Sequence, residues 1–306
     1  MKYITHTLLA TLTILLLACG GENTEETETP TGPKKSGRSF QLKEIGLASP
    51  ESVIGDGSFY YVSNVGKELK PSEKDGDGFI MKLDTAGTVV AEKFIKGLDA
   101  PKGSAIIKGK FYVADIDKIR IFDMASQDSV GVIDLSSTGT LFLNDIVQKD
   151  DNTIFVSATD INRIFEVNLT DGTFERIETT PDVQKPNGLW YEAGENKLYT
   201  VTYPPDGKGK LSVITFDTKG NSFEALDPYT GSLDGIAIVG GNIFFSDWSR
   251  GAFLVKVASA GNVGAYFLPE GVQRIQGPAD FYWDANMGEF WIPGMQENTL
   301  TIQTLK

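Results

Sequence analysis

Six stretches of this chain share one pattern, in which a short polar or glycine-rich step runs straight into an apolar strand and its hairpin partner. The step residues are Glu51, Lys102, Asn144, Asn187, Asp234 and Ala279, separated by 51, 42, 43, 47 and 45 residues. In order the stretches read PESVIGDGSFYYVSN, PKGSAIIKGKFYVAD, NDIVQKDDNTIFVSA, NGLWYEAGENKLYTV, DGIAIVGGNIFFSDW and ADFYWDANMGEFWIP. A repeat of roughly 40–50 residues built from short strands predicts an all-β ring of blades, a β-propeller. The innermost strands of such a ring surround one tunnel. Six positions far apart in sequence are therefore expected to converge there.

The rest of each blade follows from the same spacing. Third strands are expected over 78–83, 119–122, 163–167, 211–216, 253–257 and 300–305, and Gly87, Gly172, Gly220 and Gly261 supply positive φ in the turns behind four of them. The sixth unit lacks an outermost strand before Lys306, and residues 39–45 can supply it. The expected fold is thus six four-stranded blades, closed by an N-terminal strand in the last blade, which hides two unpaired edges.

The first residues belong to a different physical class. Lys2 precedes an apolar run over 7–18, and Leu16-Leu17-Ala18-Cys19-Gly20 looks like a bacterial lipoprotein signal ending in a lipidated cysteine. The run is shorter than the roughly 20 residues that span a bilayer, which favours a cleaved signal. Cys19 is the only cysteine of the chain. Resemblance to lipoproteins implies two or more acyl chains on it, enough for stable anchoring in a lipid bilayer. Residues 20–37 are rich in Glu, Thr, Gly and Pro without apolar periodicity, as expected of a disordered tether. The expected organisation is a signal over 1–18, lipidated Cys19 with its tether over 19–37, and one propeller over 38–306. The expected location is the bacterial cell envelope, at the outer membrane or cell surface.

Charge and composition narrow the chemistry. The formal charge is −13, or −14 once Lys2 leaves with the signal, and no basic patch is visible. This speaks against nucleic acid as a partner. The sole histidine, His6, also leaves with the signal. No Ser-His-Asp or Cys-His nucleophile, and no His- or Cys-ligated metal site, can then be assembled in the mature chain. Carboxylates, amides, lysine, tyrosine and hard cations remain.

The six steps bring to the tunnel two carboxylates (Glu51, Asp234), two amides (Asn144, Asn187), the ammonium of Lys102 and the methyl of Ala279. Oxygen donors in an incomplete ring suit one calcium ion, which takes six to eight oxygens, better than magnesium, which demands tighter octahedral geometry. Two buried carboxylates without a cation are costly. Lys102 offers another solution, reaching Glu51 from the next blade and replacing the metal with a salt bridge. A second arrangement, Glu73 to Gly78 with Asp84 in twelfth place, resembles an EF-hand loop, although Asp-Gly pairs are also ordinary turn material before a strand. The loops joining second to third strands border the tunnel mouth, and Phe142, Tyr203 and Trp248 are the expected pocket side chains. For Tyr203 and Trp248, packing between blades is the alternative.

Glu51 in PES, Asn144 in FLND, Asn187 in KPNGL and Asp234 in LDGIA resemble the calcium ligands of the six-bladed family of gluconolactonase, senescence marker protein, luciferin-regenerating enzyme and diisopropylfluorophosphatase. The order Glu, Asn, Asn, Asp on blades one, three, four and five is most similar to diisopropylfluorophosphatase, and the Asn144-Asp145-Ile146 step is similar to that of paraoxonases. The resemblance implies a calcium-dependent hydrolase of esters, lactones or phosphoesters acting as a monomer on a small substrate. In it Glu51, Asn144, Asn187 and Asp234 hold calcium and Asp234 acts as nucleophile or base; outside the matched motifs, Lys102 is the candidate to stabilise developing negative charge. Phe142 stands where gluconolactonases carry an arginine and Lys102 where paraoxonases carry a histidine, which shifts the expected substrate from a sugar lactone to a more apolar ester or lactone. The alternative is a propeller that binds a ligand or protein without turnover.

Overall fold

The computed structural model describes residues 38–305. The expected signal over 1–18, Cys19 and the tether over 19–37 lie outside the described residues. The described chain forms six antiparallel sheets, each the blade of a six-bladed β-propeller. Innermost strands run over Pro50–Gly55, Pro101–Ile107, Leu143–Asp150, Pro186–Glu192, Leu233–Val239 and Tyr282–Asp284.

Alternation along the strands explains why the blades stack. In the second strand of blade 1, Phe59–Asn64, Tyr60 and Val62 enter the core shared with blade 6, whereas Tyr61 enters the core shared with blade 2. The same division sends Phe244 and Phe245 of Asn242–Asp247 to opposite neighbours. Successive side chains of a strand point to opposite faces, so a sheet sandwiched between two others must be apolar on both. This is why second strands read as near-continuous apolar runs such as FYYVSN and NIFFSD. Each of the six blade-to-blade interfaces has its own hydrophobic cluster. Outermost strands such as Ser129–Asp134 and Val263–Ala265 are largely exposed, because nothing packs beyond them.

Gly87, Gly172, Gly220 and Gly261 all take positive φ in the turns where the sequence requires it. The ring closes with the N-terminal strand that the sequence predicts, although of the expected 39–45 only residues 39–42 pair. Ser39–Leu42 pairs antiparallel with Thr299–Thr304 as the outermost strand of blade 6. Arg38 adds a two-pronged ion pair to Glu289, at 2.9 and 3.2 Å, whose carboxylate is fully buried.

Three details differ from the sequence expectation. Blade 4 has a fifth strand, Thr179–Thr180, added in parallel to Asn221–Ala225. Blade 6 starts its inner strand at Tyr282, because the stretch before it is held by Ala279 N–H to the Pro293 carbonyl and a bridge of Pro278 with Gly294. The EF-hand-like arrangement is excluded. Asp84 ends the strand Gly78–Asp84 and caps the next turn through Ala86 and Thr88 N–H, leaving a seven-residue strand, some 20 Å, between it and Asp77.

Deleting residues 38–42 should destabilise the whole ring. Phe40 and Leu42 are half-buried against the blade 6–blade 1 core, worth about 3 kcal/mol together, or a drop of roughly 6–12 °C in melting temperature. An unchanged thermal melt would refute closure by this strand.

Candidate metal centre at the tunnel mouth

Each step residue sits at an irregularity in its strand. In blades 1 to 5 the inner hairpin shifts register between Pro50 and Ser52, Pro101 and Ser104, Leu143 and Ile146, Pro186 and Leu189, and Leu233 and Ile236. Those intervals enclose Glu51, Lys102, Asn144, Asn187 and Asp234. A bulge releases a residue from the ladder and re-aims its side chain. The glycines that follow three of the steps let neighbouring blades approach: a Cβ at Gly188 would stand 2.2 Å from the Asp234 carbonyl oxygen, and one at Gly103 would stand 2.5 Å from Asp145 Cα.

All five side chains are buried and line one cavity of about 310 Å³ together with Phe142, Tyr203, Trp248, Leu69, Pro71, Thr159 and Met295. The sixth step residue does not join them. Ala279 packs instead with Val65, Ala100, Ile116 and Met295 in a small apolar cluster. Tyr203 and Trp248 meet edge to face at 6.4 Å, so they pack on each other and border the cavity at once. A wider groove of about 520 Å³ runs along blades 3 and 4 and includes none of the step residues.

The cavity floor is chemically incomplete. Among the described residues, Glu51 Oε2, Asn144 Oδ1, Asn187 Oδ1 and Asp234 Oδ1 are all buried without a hydrogen-bond partner. Asn187 donates from Nδ2 to the Leu233 carbonyl at 3.2 Å, which commits its amide nitrogen and leaves the oxygen free. Buried polar atoms are almost always satisfied, so four orphaned oxygens in one cavity need an explanation. Burial, then the charge of Asp145, pushes the Asp234 carboxyl up to about 8. Glu51 is raised well above the carboxylate range by burial first and by Asp234 second, with Lys102 pulling it back. A cation beside them would offset that cost.

Lys102 does not fill that place. Its ammonium donates to the carbonyls of Pro71, at 2.7 Å, and Ala100, at 3.0 Å, and lies 4.6 Å from the centre of the Phe142 ring. No hydrogen bond or ion pair joins it to Glu51. The salt-bridge alternative therefore has no support in the geometry. Burial lowers the ammonium to about 8, with Glu51 the first charge to oppose that shift.

Two further carboxylates near the axis escape a reading of the steps alone. Asp145 accepts from Ile146 N–H at 2.7 Å and from Leu189 N–H at 2.6 Å, tying blade 3 to blade 4, and burial raises it to about 6. Asp280 accepts from Ser52 Oγ at 2.7 Å, tying blade 6 to blade 1, and burial raises it well above its usual range. Each directly follows a step residue, which is the signal that could have found it. Both are engaged by donors and differ in that from the four orphaned oxygens.

The donor set fits a hard, oxygen-seeking cation. Two carboxylates and two amide oxygens, with no thiolate or imidazole, match calcium chemistry. No group of three or more His, Cys, Asp or Glu side chains suited to a metal occurs among the described residues. Amide oxygens supply half of the donors here.

No protein-family model matches the chain, and a search of curated proteins finds no match. Solved structures share its fold. Virginiamycin B lyase from Staphylococcus aureus is 12% identical with a TM-score of 0.59, over 88% of this chain and 99% of that one. An auxiliary nutrient binding protein from Bacteroides thetaiotaomicron is 10% identical with a TM-score of 0.64, over 84% of this chain and 69% of that one. A candidate gluconolactonase is 15% identical with a TM-score of 0.63, over 87% of this chain and 92% of that one. A gluconolactonase-like propeller is thus among the structural neighbours. A lyase, a binding protein and a candidate lactonase on one fold mean that function must be argued from the site.

The raised carboxyl of Asp234 has a measurable consequence in the chelated protein. An unfolded Asp loses its proton near 3.8 and the folded one near 8, so folding is progressively disfavoured as pH rises between those values. Compared with Asp234→Asn, the metal-free wild type should lose melting temperature from pH 4 to pH 8. Parallel pH profiles for the two proteins would contradict this.

Proposed function

We propose that this propeller is a calcium-dependent hydrolase of esters, lactones or phosphoesters. The observation that carries the reading is the set of four orphaned oxygens, one from each of four blades, on the floor of a cavity walled by Leu69, Pro71, Phe142, Trp248 and Met295. Glu51, Asn144, Asn187 and Asp234 would hold the ion. When bound, calcium polarises a carbonyl or phosphoryl oxygen and favours charge build-up on it. Asp234 serves the reacting centre as nucleophile, or as base towards a water. Phe142, Tyr203 and Trp248 bury the apolar part of the substrate and keep bulk water from the floor. Leu16 to Cys19 supports a lipid-anchored protein of the bacterial cell envelope, attached to the bilayer through acylated Cys19.

Calcium at about 100 times its Kd should stabilise the folded protein by about 2.7 kcal/mol, a rise of roughly 5–10 °C in melting temperature. Glu51→Gln and Asp234→Asn should each reduce that rise. A panel of aryl esters, lactones and organophosphates, assayed with and without a chelator, tests the chemistry. Turnover should vanish with the chelator and fall by roughly 10²–10⁴-fold in Asp234→Asn, while circular dichroism stays native. Chelator-resistant turnover, or full activity in Asp234→Asn, would exclude the mechanism. A calcium-dependent melt without turnover would point to the ligand-binding reading, which Lys102 favours because two of its three N–H donors are already spent on the Pro71 and Ala100 carbonyls.

A further inference from the structure

The loop between the second and third strands of blade 1 has little to hold it in place from within. From Lys67 to Asp77 every residue is exposed except Pro71. Its neck is closed by Asp77, which accepts from Lys67 N–H at 3.0 Å, and Gly66 is required there because a Cβ would stand 1.8 Å from Asp77 Oδ1. Its internal ion pairs, Lys70 with Glu68 and Glu73, are solvent-exposed and contribute little. Yet this loop carries Leu69 and Pro71, two walls of the 310 Å³ cavity.

Three external contacts hold it, one of them from Gly76 N–H to Asp99 Oδ1 at 3.2 Å. Lys102, whose side chain is buried, donates to the Pro71 carbonyl across 31 residues of sequence at 2.7 Å. Lys74 pairs with Asp117 of blade 2 at 2.6 Å. An ammonium has three donors. Two of them go to Pro71 and Ala100, and the cation faces the Phe142 ring, itself a wall of the cavity. A charge-assisted hydrogen bond of this kind is among the strong ones, and it joins two residues that line the cavity.

We infer that Lys102 is a positioning residue that fastens the 66–77 loop across the cavity, and that the loop, through Leu69 and Pro71, decides which apolar groups enter. The inference rests on the cavity being the substrate site, but its structural half is separable from hydrolysis. Lys102 connects three segments at once: the Phe142 segment of blade 3, the Ala100 turn that leads into blade 2 and the loop of blade 1. Leu69, exposed at the loop's crest and lining the cavity, is the side chain an incoming group meets.

Hydrogen exchange of the full protein, followed by mass spectrometry, tests the fastening. In Lys102→Met the amides of 66–77 should exchange roughly tenfold faster or more, with the strands of blades 4 and 5 unchanged. Lys74→Ala, which touches neither the cavity nor the core, should loosen the same segment to a smaller degree, and it decides the question if Lys102→Met fails to fold. Unchanged exchange over 66–77 in folded Lys102→Met, or in Lys74→Ala where only that variant folds, overturns the inference. With p-nitrophenyl acetate and p-nitrophenyl hexanoate as probes, loosening should raise KM for the hexanoate several-fold and leave kcat within about twofold. A fall in kcat with undisturbed loop exchange would assign Lys102 to charge stabilisation instead. Absence of turnover on either ester in the wild type would count against the hydrolase reading alone, since the exchange experiment needs no substrate.

Discussion

Six inner strands crowd one axis, and the polar groups they bring there cannot all reach water. Most of the site follows from that crowding. Glycines at 103, 188 and 235 let adjacent strands approach to distances at which any Cβ would collide with the next blade. Close approach removes solvent, and removal of solvent makes every unpaired oxygen expensive. Asp145 and Asp280 resolve their burial with donors from the next blade and so become clasps of the ring. Glu51, Asn144, Asn187 and Asp234 leave an oxygen each unresolved. Under the proposed reading a cation satisfies the second set, whereas the first already has its donors.

The same constraint divides labour between stability and chemistry. The six inter-blade clusters hold the ring together through large apolar side chains in second strands, and Tyr60 stacked on Trp291 at 3.8 Å is the aromatic seal where blade 1 meets blade 6. Such a framework holds the tunnel residues in place without depending on their own interactions. A site with raised carboxyls and orphaned oxygens can therefore persist in a folded protein. Cost at the axis is offset at the interfaces.

Much of the architecture was legible because it repeats. The 42–51 residue spacing, the apolar second strands, the turn glycines and the closing strand expected within 39–45 each have a local pattern that one blade shares with the others. Departures arose where tertiary contacts override pattern. Thr179–Thr180 has no strand signature and joins blade 4 because the chain between blades 3 and 4 passes along that edge. Asp84 sits at an EF-hand spacing in sequence, but an extended strand carries it away from Asp75 and Asp77. The convergence of Glu51, Lys102, Asn144, Asn187 and Asp234 followed from their equivalent places in the repeat, whereas the fate of the Lys102 ammonium did not.

By itself the sequence determined what is periodic: the all-β class, six blades, the closing strand, and the residue types presented at the tunnel. Those features depend on side-chain alternation and on backbone conformations available to neighbouring residues, which are local properties. Only the tertiary structure decided that Lys102 turns to Pro71 and away from Glu51, that Asp145 and Asp280 are satisfied, and that four other oxygens are not. A long side chain at a crowded axis has several partners within reach, and the choice depends on which carbonyls and aromatic faces the folded loops bring beside it.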